Sequence, residues 1–280
     1  MLNEKVSGWQ WQTWQGLPYL TCDLLQQWQH GFFTQQFCPQ LPEEIVAVFD
    51  PQYQAYRVKQ VHGSRVMTPW EIEAAQQEGS LIAENGYPPA DAIFTDQPQQ
   101  AVFVASADCT PVLIGDLKSN KVAAIHAGWR GTAKRIVPEA IARFVASGSN
   151  LEDLRIAMGP AIAGEVYQVS EKVATEVGAS VVDSPEAILT TLLQLPNSPI
   201  LPDTHPNRVK LDVRRINALQ LEGLGINQEQ VVIAPHCTYQ QPEYFFSYRR
   251  SKEKKVQWSG IASMKNGFES RDSKPLPQHK

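Results

Sequence analysis

The stretch "SADCTPVLIGDLKSNKVAAIHAGWRG" (106–131) limits the fold more than any other part of the chain. Two apolar runs, 111–116 and 121–128, flank the turn-forming tetrapeptide Leu-Lys-Ser-Asn, which is the pattern of an antiparallel hairpin. If Asp116 pairs with Lys121, Pro111 pairs with His126. Residues directly opposite share a face of the sheet, and so do residues two apart on one strand. Cys109 then lies diagonal to His126 on the same face, roughly 7–8 Å away between backbones. A slip of one residue would put them on opposite faces. The hairpin therefore ends in a thiol on one side and an imidazole on the other.

A second imidazole stands at a comparable break. The segment "AYRVKQVHGSRVMTP" (55–69) alternates with period two and reads as a strand interrupted at His62-Gly63. His62, Cys109 and His126 would make three ligands with a fourth tetrahedral position open, the mark of a catalytic zinc site. Cys109 and a histidine would equally make a nucleophile and its base. A cysteine at a strand end is also an ordinary small buried hydrophobe. The separations, 47 positions from 62 to 109 and 17 from 109 to 126, match no short metal motif, so the residues alone leave these alternatives open.

After His126 a strand feeds a glycine-containing loop and a helix. Amides around Gly128–Thr132 would face an anion, and Arg130 would add a bidentate clamp for phosphate. Equally, Gly128 and Gly131 would make a tight turn with Trp129 plugging the core. Lys59 and Gln60 are placed to reach a substrate if their strand end lines the cleft. Arg249 and Arg250 are either further cationic candidates or a solvated surface pair, and His236, Cys237 and Tyr239 stand at another strand end that would line the same cleft. Asp91 and Asp108 are the carboxylate candidates for acid or base. His30, His205 and His279 have no supporting context.

Elsewhere, 9–34 reads as strands, and 101–109 with 111–116 as an apolar run broken at Pro111. The turn formers of 78–91 make a loop. A helix is expected within 132–147, capped by Thr132 and stopped by Gly148, with Pro138 kinking it or delaying its start. A strand at 154–162, a helix near 169–178, a proline-rich loop or insertion at 180–210, a helix at 212–225 capped by Asp212, a strand at 230–237 and a polar tail from about 268 complete the chain. Strands and helices interleave without regular βαβ units. That predicts an α+β fold, with mixed β-sheets and flanking helices in one domain over 1–280, rather than a doubly wound sheet.

Hydrophobic residues at 42% suffice for a core, and a net charge of −4 argues against a nucleic-acid binder. No apolar run approaches the ~18 residues of a membrane span. The N-terminal residues lack the basic and apolar regions of a signal peptide. Four scattered cysteines without a CxxC pair predict a reduced, cytoplasmic protein. The sequence carries no signal for the oligomeric state.

"KQVHGSRV", "SADCTPVLIGD", "AAIHAGWRGTAKRIV", "MGPAIAGEVYQV" and "FFSYRR", in that order, resemble the YfiH-like family. It is also called the laccase-domain or multicopper polyphenol oxidoreductase family and the peptidoglycan editing factor family, and the likeness runs over about 31–263. The resemblance implies a sandwich related to cysteine-hydrolase-like toxin domains. It implies a zinc site on His62, Cys109 and His126. It implies phosphorolysis of purine nucleosides (adenosine, inosine, guanosine, methylthioadenosine), with adenosine deamination beside it. The partners would be a purine nucleoside and phosphate, with neither nucleic acid nor membrane. Copper at the same site, polyphenol oxidation, and an amidase or peptidase acting on cell-wall precursors are the rivals. A multicopper oxidase is disfavoured because the chain has six histidines in all. One departure is visible: family members commonly carry a Gly-Gly-Val-Ser type loop after "GFFT", where this chain reads "QQFCPQLPEE" (35–44).

Overall fold

A computed structural model of the chain describes residues 8–79 and 86–264. Two six-stranded mixed sheets pack face to face. The first runs, edge to edge, through Trp9–Trp14, Leu17–Cys22, His30–Phe33, Gln257–Ala262, Gln100–Ser106 and Gln54–Tyr56. The second runs through Val231–Ile233, Leu154–Met158, Thr110–Asp116, Val122–Ala127, Ala92–Thr95 and Val66–Met67. Most neighbours are antiparallel, and three pairs at the sheet edges are parallel.

The central hairpin shows why its sequence reads as unbroken apolar runs. Leu113 and Ala124 face the first sheet, where they meet Phe32, Val102 and Val104. Val112, Ile114, Ala123 and Ile125 face the other way, against the helices Ile136–Ala146 and Val213–Gly223. Both faces are covered, so neither can be polar. The register is the expected one, with Pro111 opposite His126 and Gly115 opposite Val122.

Several expectations need correction. The apolar run breaks at 107–109, not at Pro111, which lies inside the strand Thr110–Asp116. Pro111 is tolerated because it exchanges no hydrogen bond with His126, whose amide donates to Asp91 O on the opposite side, and because its own nitrogen faces Gly159, just beyond the end of Leu154–Met158. The segment 55–69 is not one interrupted strand. Only Gln54–Tyr56 and Val66–Met67 pair in sheets; between them the Val61, His62 and Gly63 amides are taken by a side chain described below. The helix within 132–147 is two pieces, Trp129–Ala133 and Ile136–Ala146, separated at Arg135 (φ +61°). Thr132 is not a cap; it is buried and its hydroxyl engages the Asn217 side chain. Pro138 falls in the first turn, where its missing N–H has no intrahelical partner to lose.

The 180–210 region is no mere loop. It holds the helix Ile188–Gln194 and contributes Ile200–Pro202 and Arg208–Leu211 to a third, three-stranded sheet with Gln168–Ser170. Ile188, Leu192, Ile200 and Leu211 share a core there. The structure adds a strand, Gln257–Ala262, in the middle of the first sheet, and a helix, Pro69–Glu78, that the sequence pattern does not announce. Part of the expected 78–91 loop (80–85) and the polar tail lie outside the described residues. Among the described residues no helix is long and apolar enough to cross a membrane.

Candidate metal centre

Three chain segments meet at the end of the central hairpin. His126 is held near the end of Val122–Ala127 by the ladder to Thr110–Asp116. Cys109 stands in the bend just before that partner strand, after Asp108, whose φ of +95° turns the chain sharply. His62 comes from 57–65, where its own φ is +58°. The His62 and Cys109 side chains reach solvent, whereas His126 is buried at 3% exposure.

The donor atoms of His62, Cys109 and His126 all lie within 4.8 Å of one another. Cys109 Sγ is 4.0 Å from His62 Nε2. The two imidazole rings meet edge to face, with centroids 4.8 Å apart. Zinc bonds of about 2.0–2.3 Å place the ligands of one ion roughly 3.3–3.8 Å apart, so the three donors need to close by only about an ångström. Two imidazoles and a thiolate are also the right donor chemistry for zinc.

Gly128 makes the convergence possible. A Cβ there would stand 2.7 Å from Cys109 Sγ and 3.2 Å from His62 Cδ2. Asp91, fully buried, accepts from His126 Nδ1 at 2.9 Å, leaving the other ring nitrogen to the cluster.

The electrostatics bind these groups together. Burial alone would raise the Cys109 thiol, but the His126 charge and hydrogen bond, seconded by His62, carry it down to about 6. Burial would lower His126, but Cys109 and Asp91 carry it up to about 9. Asp91 is pushed up by burial and brought below its usual value by His126 and the Gly63 and Val61 amides.

The other expected site residues divide. Arg249 lies near the cluster. Its amide donates to Asp108 Oδ2 at 2.7 Å, its Nη1 to Gln168 O at 2.8 Å, and its guanidinium lies 4.6 Å from the Tyr167 ring centroid. Arg130 is exposed and stacks 4.3 Å over Trp129. Tyr167 is pushed up to about 12 by burial first and then by Cys109, with Arg249, Asp108 and Arg130 also acting on it. Tyr167 thus stands among the cluster and both arginines, and its one signal in the sequence is its place inside the motif "MGPAIAGEVYQV".

Gln60 is not free to meet a substrate, because its amide group pairs twice with Ala105, at 2.7 Å each. Arg250 is likewise committed, donating to the carbonyls of Thr238, Tyr239 and Phe245. Lys59 is exposed and aligns its segment through backbone bonds to Pro88 and Ala90. Asp91 is not available as acid or base, whereas Asp108, half-buried, keeps acceptor sites open. Asp91 is saturated by amides and His126, and Asp108 accepts from Thr238 Oγ1 and the Arg249 amide.

His236 packs against Trp11 and Phe245 rather than the cluster. Cys237 lines a separate cavity of about 430 Å³ with Asp212 and Arg214. His30 is a satisfied core histidine, accepting from the Cys22 amide and donating to Trp28 O. His205 pairs with Asp203 at the surface, and His279 lies outside the described residues. The divergent 35–44 loop packs Phe37 into the aromatic core of the first sheet and fastens Gln35 to Pro242 and Tyr244.

The family model described as multi-copper polyphenol oxidoreductase laccase matches residues 43–263. A purine nucleoside phosphorylase of Synechocystis sp. is 56% identical over 260 residues, covering 91% of this chain and 97% of that protein. The purine nucleoside phosphorylase YlmD of Bacillus subtilis is 27% identical over 225 residues, 80% of this chain and 76% of its own length. Among solved structures, YlmD from Geobacillus stearothermophilus superposes with a TM-score of 0.75 at 20% identity, over 91% of this chain and 98% of that one. Bacillus licheniformis YfiH superposes with a TM-score of 0.69 at 22% identity, over 88% and 96%. Those two likenesses establish the mixed α+β fold with flanking helices.

Proposed function

Since the chain belongs to the multi-copper polyphenol oxidoreductase laccase family, we propose that it is a zinc-dependent purine nucleoside phosphorylase with adenosine deaminase activity at the same centre. The observation that carries the reaction class is the 56% identity, over nearly the whole length of both chains, to a protein named for that activity. The proposed substrates are adenosine, inosine, guanosine and methylthioadenosine.

In phosphorolysis a phosphate oxygen forms a bond to C1′ of the ribose while the C1′–N9 bond breaks. The electron pair leaves with the base, N9 takes up a proton from dihydrogen phosphate or solvent, and the products are ribose 1-phosphate and the free purine. This requires an anion beside the sugar. Arg249 and Arg130, which both act on Tyr167 beside Cys109, would hold that phosphate as charged donors. His62, Cys109 and His126 would hold the ion, which when bound supplies Lewis-acid polarisation and acidified water. Asp91 would keep His126 oriented throughout. Zinc suits this donor set better than a multicopper chemistry, for which six histidines are too few.

The test is metal analysis of the purified protein together with product identification from adenosine and phosphate. Ribose 1-phosphate and adenine should appear, be lost with chelator and return with zinc. Absence of ribose 1-phosphate from every purine nucleoside offered would refute the proposal. One geometric feature favours a second reading. Cys109, His126 and Asp91 form an array of nucleophile, base and orienting carboxylate, which would serve an amidase or peptidase on cell-wall precursors. Hydrolysis of muropeptides that survives chelator but not thiol alkylation would select it.

A further inference from the structure

Asp91 is fully buried, and its two carboxylate oxygens meet four donors. Oδ1 accepts from the His62 amide at 2.8 Å and from His126 Nδ1 at 2.9 Å. Oδ2 accepts from the Gly63 amide at 2.7 Å and the Val61 amide at 3.2 Å. Its backbone carbonyl takes the His126 amide at 2.8 Å. Three consecutive amides turned onto one carboxylate form an anion nest, and this nest holds His62 in its left-handed conformation (φ +58°). One residue therefore grips the backbone of one imidazole ligand and both the backbone and the ring of the other.

We propose that Asp91 is the positioning residue of the centre: it locks the His62 backbone beside the cluster and keeps the proton of His126 on Nδ1, so that His126 presents its bare Nε2 to the ion it would share with His62 and Cys109. This deepens the metal assignment of the cluster and rests on it. The chemistry demands a carboxylate. Four donors exhaust the acceptor sites of its two oxygens. A carboxamide of the same shape has one acceptor oxygen, and its NH₂ would face N–H groups on whichever side it took. With the oxygen toward His126, the NH₂ meets the Val61 and Gly63 amides. With the NH₂ toward His126, Nδ1 must accept, and the proton moves to the nitrogen that the ion needs.

The experiment compares wild type with Asp91→Asn, using Zn²⁺ in competition with a chromophoric chelator and Co²⁺ as a spectroscopic probe of thiolate ligation. Partners of this kind set metal affinity by about 10- to 100-fold. The variant should bind Zn²⁺ weaker by that factor and show a diminished thiolate-to-Co²⁺ band, at unchanged far-ultraviolet dichroism. Affinity within about twofold of wild type with an unchanged band overturns the proposal. Should the variant not fold, nitrogen-15 spectra of wild-type His126 decide. A protonated, hydrogen-bonded Nδ1 with and without Zn²⁺ upholds the proposal, and an unprotonated Nδ1 overturns it. If wild type takes up neither ion, the metal assignment falls, while the state of Nδ1 still decides whether Asp91 orients the ring.

Discussion

Gly128→Ala is the sharpest test of how the centre is built. Gly128 has φ −75° and ψ 168°, a conformation open to any residue, so the backbone itself does not require glycine. The requirement is space. The added methyl would lie 2.7 Å from Cys109 Sγ and 3.2 Å from His62 Cδ2, whereas comfortable contact begins near ~3.5 Å. The Cys109 backbone cannot retreat easily. Thr110 is already in the ladder, and Asp108 is tied to Thr238 and Arg249. The sulfur must therefore swing about 1 Å, several times the ~0.2 Å within which metal ligands are placed. Overpacking of this kind costs about 1–3 kcal/mol. Expressed wholly in binding, at about 1.4 kcal/mol per tenfold, that is roughly 5- to 150-fold in zinc affinity. Chelator competition measures the affinity, the Co²⁺ thiolate band reports the sulfur, and the melting temperature checks the fold. If the variant keeps its zinc affinity and its Co²⁺ band and raises only the KM for phosphate, the steric reasoning is wrong and Gly128 belongs to an anion site instead.

Arg130→Ala and Arg249→Ala should each raise the KM for phosphate by about tenfold or more, since a hydrogen bond to a charged group contributes roughly 1.5–3 kcal/mol. Adenosine deamination, which consumes no phosphate, should be spared; equal loss of both activities contradicts the assignment. With metal removed, alkylation of Cys109 should follow a profile with a midpoint about 6, belonging to the coupled Cys109–His126 pair. A midpoint at the ordinary thiol value would show that His126 does not stabilise the thiolate. His30 is held down to about 4 by burial. Its folded value lies below its unfolded value, so the stability it contributes is fully present above about pH 6.5 and is lost as pH falls toward 4. That gap corresponds to roughly 3 kcal/mol. His30→Gln should flatten unfolding free energy against pH in that window, and an unchanged slope would remove His30 from the account.

Much of the centre was legible because a hairpin is local. Turn chemistry at 117–120 and two apolar runs set the register, and register alone put Cys109 and His126 on one face. The arrival of His62 was legible only as a break in an alternating pattern. What could not be read were the partners. Gln60 and Arg250 look like substrate ligands in sequence, yet their polar groups satisfy backbone atoms of Ala105, Thr238, Tyr239 and Phe245. Asp91 reads as a free acid, yet its oxygens are filled by a segment some thirty positions away. The prolines of 180–210 hid a third sheet, because they stand at its turns and edges, where a lost donor does no harm.

The sequence by itself determined the hairpin, its register, and the two donors that register aligns, since these follow from the period of a strand and the turn between two strands. Tertiary structure decided the rest: that His62 meets them, that Gly128 leaves room for a sulfur, and that one buried carboxylate holds both imidazoles. Those depend on which distant atoms fill each hydrogen bond and each cubic ångström, and a linear pattern does not carry that information.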